Sequence, residues 1–148
     1  MALRALFPLD GSQATFDAVE RGLAKLASAK DAQATFFIVL AKNVKNMPPD
    51  AREYLEEDEE DELFLDEEEA ARVIEKAQAI AKRVAFGKTA GKIVEGVPYD
   101  AILKEARSHD ILVMHGLDRN EFEEKMRGGV LEKLCRNAPC DVWLVRTS

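Results

Sequence analysis

Residues 90–116, AGKIVEGVPYDAILKEARSHDILVMHG, read as a strand, a helix and a second strand. The run 90–96 is a short strand that ends ahead of Pro98. Pro98 suits the first turn of a helix, where its missing N–H costs nothing and its fixed φ is already helical. Ala101, Ile102, Leu103 and Ala106 then give that helix residues to pack. DILVM, 110–114, is a compact apolar run of strand length. Strands that alternate with helices in this way imply a parallel sheet.

The same alternation continues on both sides. Upstream, LRALFPL (3–9) is a largely apolar strand that ends in the turn Asp10-Gly11-Ser12. Ser12 is a natural N-cap for a helix in which Ala14, Phe16, Ala18, Val19, Leu23, Leu26 and Ala27 recur at helical spacing. ATFFIVLA (34–41) is continuous, apolar and rich in β-formers, as a strand covered on both faces should be. The loop KNVKNMPPD leads into a strongly acidic insert, residues 46–65, between the second strand and the second helix. That helix starts at Asp66 and carries one apolar stripe: Ala70, Val73, Ile74, Ala77, Ile80, Ala81 and Val84. Its acidic first turn and its final Lys82 and Arg83 suit the helix dipole, and Gly87 ends it. Downstream, a helix is expected over about 129–136, stopped by Pro139, and DVWLV (141–145) is the last strand.

The order β-α-β-α-β-α-β-α-β predicts an α/β fold. We expect a single doubly wound domain over residues 1–148, with a five-stranded parallel sheet and helices on both faces. Ligands of such sheets bind outside the carboxyl ends of the strands, near the point where the strand order reverses. Two strand exits carry chemistry: Leu9-Asp10-Gly11-Ser12 and Met114-His115-Gly116.

Composition narrows the function classes. A chain of 148 residues suggests one domain. No apolar run reaches the length of a membrane span, and Pro8 and Asp10 interrupt the first apolar run too early for a signal peptide. Two cysteines, Cys135 and Cys140, are too few for a disulfide framework, so a reducing, cytoplasmic setting is expected. Residues 53–69 hold 12 acidic residues and no basic one. They exceed the whole net charge of −7, so the rest of the chain is mildly basic. Net acidity argues against nonspecific nucleic-acid binding, which phosphates dominate, and leaves room for a small anionic ligand on the basic part.

Three pieces together resemble the universal stress protein family. ALFPLDGS is similar to its first strand and turn. VEGVPYDAILKEARSHDILVMHG is similar to its third strand, third helix and fourth strand. GGVLEKLCRNAPCDVWLV is similar to its last helix, Ala-Pro-Cys turn and last strand. The resemblance spans nearly the whole chain except the acidic insert. It implies a five-stranded parallel α/β domain, usually a homodimer, in cytoplasmic stress responses. Dimer contacts commonly come from the last strand, here Asp141, Val142, Trp143, Leu144 and Val145, with Trp143 a natural anchor.

One branch of that family binds ATP through a signature after the fourth strand: Gly, two residues, Gly, nine residues, then Gly and Ser or Thr. With the last glycine on Gly128, the nine residues are Arg119 to Arg127. The first two glycines then fall on His115 and Asp118, and the hydroxyl position on Gly129. Sliding by one residue brings Gly116 under the first position, but the remaining spacing fails. Glycine lets a backbone N–H approach a phosphate closely. Asp118 would instead set a carboxylate against phosphate, at a cost of roughly several kcal/mol in a partly dry site. Gly128 and Gly129 still leave unmet N–H groups at a helix start, and Arg119 and Arg127 could compensate charge. The resemblance further implies a nucleoside contact at Asp10, adenine-pocket residues at Val39 and Met114, and a contact at Val130, the start of the last helix. The nucleoside half is retained and the triphosphate half is mostly lost.

Plainer readings stand beside these. Asp10 could simply cap its turn, and Gly128-Gly129 could serve only a tight loop-to-helix turn. His115 could line a pocket, bind phosphate or sense pH. His109 reads as surface loop, and the cysteines as buried and unreactive. The insert reads as a solvated segment. Its LFL (63–65) offers a docking anchor for a basic protein partner, a segment that packs back on the domain, or a cover for the phosphate region. Its carboxylates lack the glycine and alternation of an EF-hand calcium loop. No triad signature, metal cluster or Walker loop is evident. The expectation is a non-enzymatic, homodimeric regulatory or protective domain with a degenerate ATP loop. The alternative is a nucleotide-binding signalling module that takes ATP or AMP, with weak ATP hydrolysis left open if ATP binds. No cofactor is otherwise expected.

Overall fold

The computed structural model describes residues 2–29, 31–40, 65–116 and 130–146. Nine elements follow one another: β1 (Arg4–Pro8), α1 (Gln13–Leu26), β2 (Gln33–Leu40), α2 (Glu67–Arg83), β3 (Thr89–Glu95), α3 (Pro98–Ala106), β4 (Ile111–Gly116), α4 (Val130–Asn137) and β5 (Asp141–Arg146). All strand pairs are parallel, in the order β3-β2-β1-β4-β5. The doubly wound α/β sheet read from the alternation is therefore present. The acidic insert lies outside the described residues except for its last residue, Leu65.

Side chains of the central strands alternate between two apolar layers, as the strand pleat requires. Phe36, Ile38 and Leu40 of β2 join Ala5 and Phe7 of β1 under α1 and α2, packing with Phe16, Val19, Leu23, Ile74, Ala77 and Ile80. Phe37 and Val39 join Leu6, Leu112 and Met114 on the other face, under Ile102 and Ala106 of α3 and Leu134 of α4. The continuous apolar run of β2 is thus explained: both of its faces are covered.

Helix entries match their local sequence. Ser12 caps α1 by accepting from the Thr15 N–H. Asp66 and Glu69 form a reciprocal capping box at α2. Close approach decides two glycines. A Cβ on Gly91 of β3 would sit 2.6 Å from Ile74 Cγ2, and one on Gly22 of α1 would sit 3.0 Å from the Phe7 ring. At Gly91 helix and sheet meet at a distance that a side chain could enter only if Ile74 shifted, and at Gly22 an added Cβ would press on the Phe7 ring by a few tenths of an ångström.

The strands also separate where it matters. β1 pairs with β2 as far as Pro8↔Phe37. Its register with β4 covers only Ala5↔Ile111 and Leu6↔Leu112. Pro8 has no N–H to give a neighbour. β4, in contrast, stays on β5 through His115↔Val145 and Gly116↔Arg146. The strand therefore runs two residues past Met114, where local sequence placed its end. Between the exits of β1 and β4 lies the switch point, since the chain winds outward from β1 to β3 and then returns to β4.

Candidate functional site

The β1 exit is built around one carboxylate. Gly11 takes φ 84, a left-handed conformation suited to glycine, and turns the chain into α1. Asp10 Oδ1 accepts the Ser12 N–H at 2.8 Å and the Thr15 hydroxyl. The Ser12 hydroxyl lies 3.2 Å from Thr15 Oγ1 and 3.2 Å from the Thr15 amide nitrogen, whose N–H it accepts. Thr15 is 2% exposed and is the buried polar residue of the described core. Its role was missed in the sequence. The available signal was spacing: Asp10, Ser12 and Thr15 lie two and five positions apart, within reach of one turn.

His115 reaches the same carboxylate from the neighbouring strand. Its Nε2 lies 3.4 Å from Asp10 Oδ2, with the two side chains 28% and 21% exposed. Burial would raise the Asp10 carboxyl, but hydrogen bonds from His115, Ser12 and Thr15 outweigh it and hold the group well below the usual carboxylate range. Asp10 is therefore ionised and can only accept. The other ring nitrogen, Nδ1, is buried and has no hydrogen-bond partner among the described residues. The two strand exits singled out in the sequence thus meet, side chain to side chain, across the switch point.

The remaining candidates fall into three groups. Val39 and Met114 are each 8% exposed and share the apolar layer under α3 and α4. They lie near the carboxyl ends of β2 and β4, on the opposite face of the sheet from the first layer. Gly116 is a strand residue paired with Arg146, and Val130 is the first residue of α4. Gly128, Gly129 and Asp118 lie outside the described residues.

Other features resolve toward structure. Both readings of Asp10 share one side chain: Oδ1 caps the turn, and Oδ2 faces His115. Leu65 would touch a Cβ placed on Gly11, and it packs against the first core layer. For that residue, packing back on the domain replaces an exposed anchor; Leu63 and Phe64 lie outside the described residues. His109 is in the loop after α3, as expected, but its ring is tied down, with Nδ1 2.9 Å from the Glu105 carbonyl and Nε2 3.1 Å from Thr35 Oγ1. Burial raises the Cys135 thiol. Burial, with Asp141 and Asp110, raises that of Cys140. Raised thiols carry less thiolate and are poor nucleophiles. Among the described residues no group of three or more His, Cys, Asp or Glu is placed to hold a metal ion. No helix among them is long and apolar enough to cross a membrane.

A model of the universal stress protein family matches residues 1–146. A universal stress protein crystallised in complex with cAMP superposes with a TM-score of 0.70 at 21% identity, covering 99% of this chain and 98% of that one. The universal stress protein UspA from Lactobacillus plantarum gives 0.67 at 21% identity, covering 97% of each chain. A universal stress protein family protein from Arabidopsis thaliana with AMP bound gives 0.67 at 14% identity, covering 99% of this chain and 92% of that one. At these identities the likeness concerns the fold. A search of curated proteins found no significant match.

Proposed function

The chain belongs to the universal stress protein family, and from that premise we propose that it is a non-enzymatic regulatory or protective domain of the stress response. Its switch-point crevice takes an adenine nucleoside or nucleoside monophosphate in preference to magnesium-bound ATP. It works in the cytoplasm as a homodimer through β5, and the acidic insert meets a basic protein partner.

Asp10 carries this reading. Its Oδ1 is consumed by the turn, and among the described residues Oδ2 has only His115 near it. An ionised acceptor at that place favours a ligand that donates, such as a ribose hydroxyl, and opposes phosphate. Hydrogen bonds to charged groups are worth about 1.5–3 kcal/mol, enough to choose between ligands. Val39 and Met114 supply apolar ground for a base near the carboxyl ends of the two strands that flank β1. Two similar structures hold cAMP and AMP, ligands with one phosphorus each. The loss of the signature glycines at His115 and Asp118 weighs against a triphosphate. For the dimer, β5 is an edge strand, and Val142, Trp143 and Leu144 are only partly covered by their own chain.

Isothermal titration with AMP and with ATP plus Mg²⁺ tests the ligand. The expected result is AMP binding at least about tenfold tighter than Mg-ATP, a gap of about 1.4 kcal/mol. Tighter binding of Mg-ATP, or no binding of either, overturns the reading.

A further inference from the structure

The two sides of α1 carry different charge. Toward α2, Asp17 and Glu20 line a groove with Lys76 and Arg83. Glu20 pairs with Arg83 at 3.0 Å, and Asp17 accepts from the Gln13 amide at 3.0 Å. Toward β5, α1 presents Arg21 and Lys25, both exposed. Arg21 donates to the Arg146 carbonyl at the end of β5. The Lys25 ammonium lies 5.6 Å from the centre of the half-buried Trp143 ring, a cation–π contact that keeps it beside the edge strand. Arg146 is exposed at the end of that strand and Asp141 at its start. Arg21, Lys25 and Arg146 against Asp141 leave this corner positive.

A dimer through β5 sets that charge against itself. β5 is the outer strand of the sheet. A two-fold axis that joins two copies there faces each corner with its own image, cation toward cation. The same chain holds the counter-charge. Of the 12 acidic residues in 53–69, four start α2, Asp66 to Glu69, and Asp66 and Glu69 are engaged in its capping box. The other eight fall within residues 53–62, which hold no basic residue. From there the chain runs to Leu65, which lies against Gly11, just ahead of α1. The acidic stretch is thus tethered at the start of the helix whose later turns carry the positive corner.

We propose that the basic corner of Arg21, Lys25, Trp143 and Arg146 is the docking surface for the acidic stretch, residues 53–62, of a second copy of this chain. It rests on the dimer and insert readings above and deepens them: the basic partner of the insert is the same protein. Each copy gives its carboxylates to the corner of the other, so a two-fold dimer uses the contact twice. Carboxylates at the corner turn repulsion into attraction, and the Arg21 guanidinium has the planar geometry that binds them. An external polyanion such as nucleic acid would meet the net charge of −7; the insert is itself that charge.

The test uses the full chain and two readouts. The first is sedimentation equilibrium at low and high salt, about 0.05 M and about 0.5 M NaCl. One variant exchanges the eight carboxylates of 53–62 for amides, which leaves each chain close to neutral. Simple net-charge repulsion then predicts a tighter dimer. Docking predicts the opposite: at low salt the variant dimerises about tenfold more weakly than wild type. At high salt, where screening acts within about 4 Å, the gap narrows to about threefold or less. Adding Arg21→Gln and Lys25→Gln to that variant removes the repulsion and returns the dimer to within about threefold of wild type. The second readout is carbodiimide coupling, which joins carboxylates to amines, in an equal mixture of ¹⁵N-labelled and unlabelled wild type. Peptides from 53–62 joined to Lys25 include pairs with one labelled and one unlabelled member. A tighter or unchanged dimer in the amide variant overturns the proposal. So do crosslinks that never mix labels, which put the insert on its own chain. If wild type sediments as a monomer, the dimer reading itself has failed and this one falls with it; a dimer indifferent to the charge of the insert overturns the docking alone.

Discussion

The two ends of the sheet use similar residues and finish them differently. At the amino edge, Asp110 accepts the Arg4 N–H at 2.8 Å, lies 3.7 Å from its guanidinium and returns its own N–H to the Arg4 carbonyl. His109 has partners for both ring nitrogens. At the carboxyl edge, β1 and β4 part after Leu6↔Leu112, and His115 has one nitrogen on Asp10 and the other without a hydrogen-bond partner among the described residues. Buried polar groups are normally satisfied. A histidine with both nitrogens engaged is a strut. A histidine with one nitrogen unmatched among the described residues, at a switch point, is where the proposed ligand would change the hydrogen bonding.

Asp10→Ala should break this contrast most. It removes the acceptor for the Ser12 N–H, the Thr15 hydroxyl and the His115 ring in a part-buried turn. Each stranded donor costs about 1–3 kcal/mol, so a net loss of about 3 kcal/mol in urea unfolding is expected, together with loss of nucleoside binding. A loss below about 1 kcal/mol would mean that the turn does not depend on the carboxylate.

Acidification should sharpen the same point. In the folded state the Asp10 carboxyl is held below its ordinary value. Its charge therefore stabilises the fold fully above the unfolded carboxylate pKa of about 3.9. That stabilisation is lost as pH falls toward and through the lower folded value. The stability difference between wild type and Asp10→Asn should stay level from about pH 7 to pH 5 and shrink below about pH 4. A difference that widens on acidification would contradict the ionised carboxylate.

The amino edge should respond in stability alone. His109→Ala cuts the tie from the end of α3 to Thr35 of β2 and should cost about 1–2 kcal/mol, with nucleoside affinity unchanged. A fall in affinity would erase the distinction between the two histidines. Smallest of all is Arg4→Ala. The ion pair with Asp110 is about half exposed on both sides, so the change should be at most about 0.5 kcal/mol by thermal unfolding, again with no effect on binding.

Much of the fold was legible because each element carries its own signal. The stripe from Ala70 to Val84 and the Asp66 cap identify α2, and they are local. Pro98 marks the start of α3 for the same reason. The end of β4 was less legible. His115 and Gly116 do not look like strand residues, yet β5 supplies backbone partners for both. Thr15 was not legible at all as a buried residue: a threonine early in an amphipathic helix normally faces water, and only the Asp10 carboxylate makes its burial tolerable. Leu65 was readable as apolar, but not as the residue that packs over Gly11.

By itself, the order of residues determined the alternation of strands and helices, the two-faced burial of β2 and the two strand exits with useful chemistry. Periodicity and turn chemistry act within a few residues, so they survive in a one-dimensional reading. The strand order is different. Whether β4 lies beside β1 or beyond β3 depends on how the crossover helices pack on the two faces, and no local pattern states it. Only that choice brings Asp10 and His115, 105 positions apart in the chain, to 3.4 Å. Separately, a turn aspartate and a strand-end histidine are ordinary residues. Side by side at a parting of strands, they become an acceptor held in place.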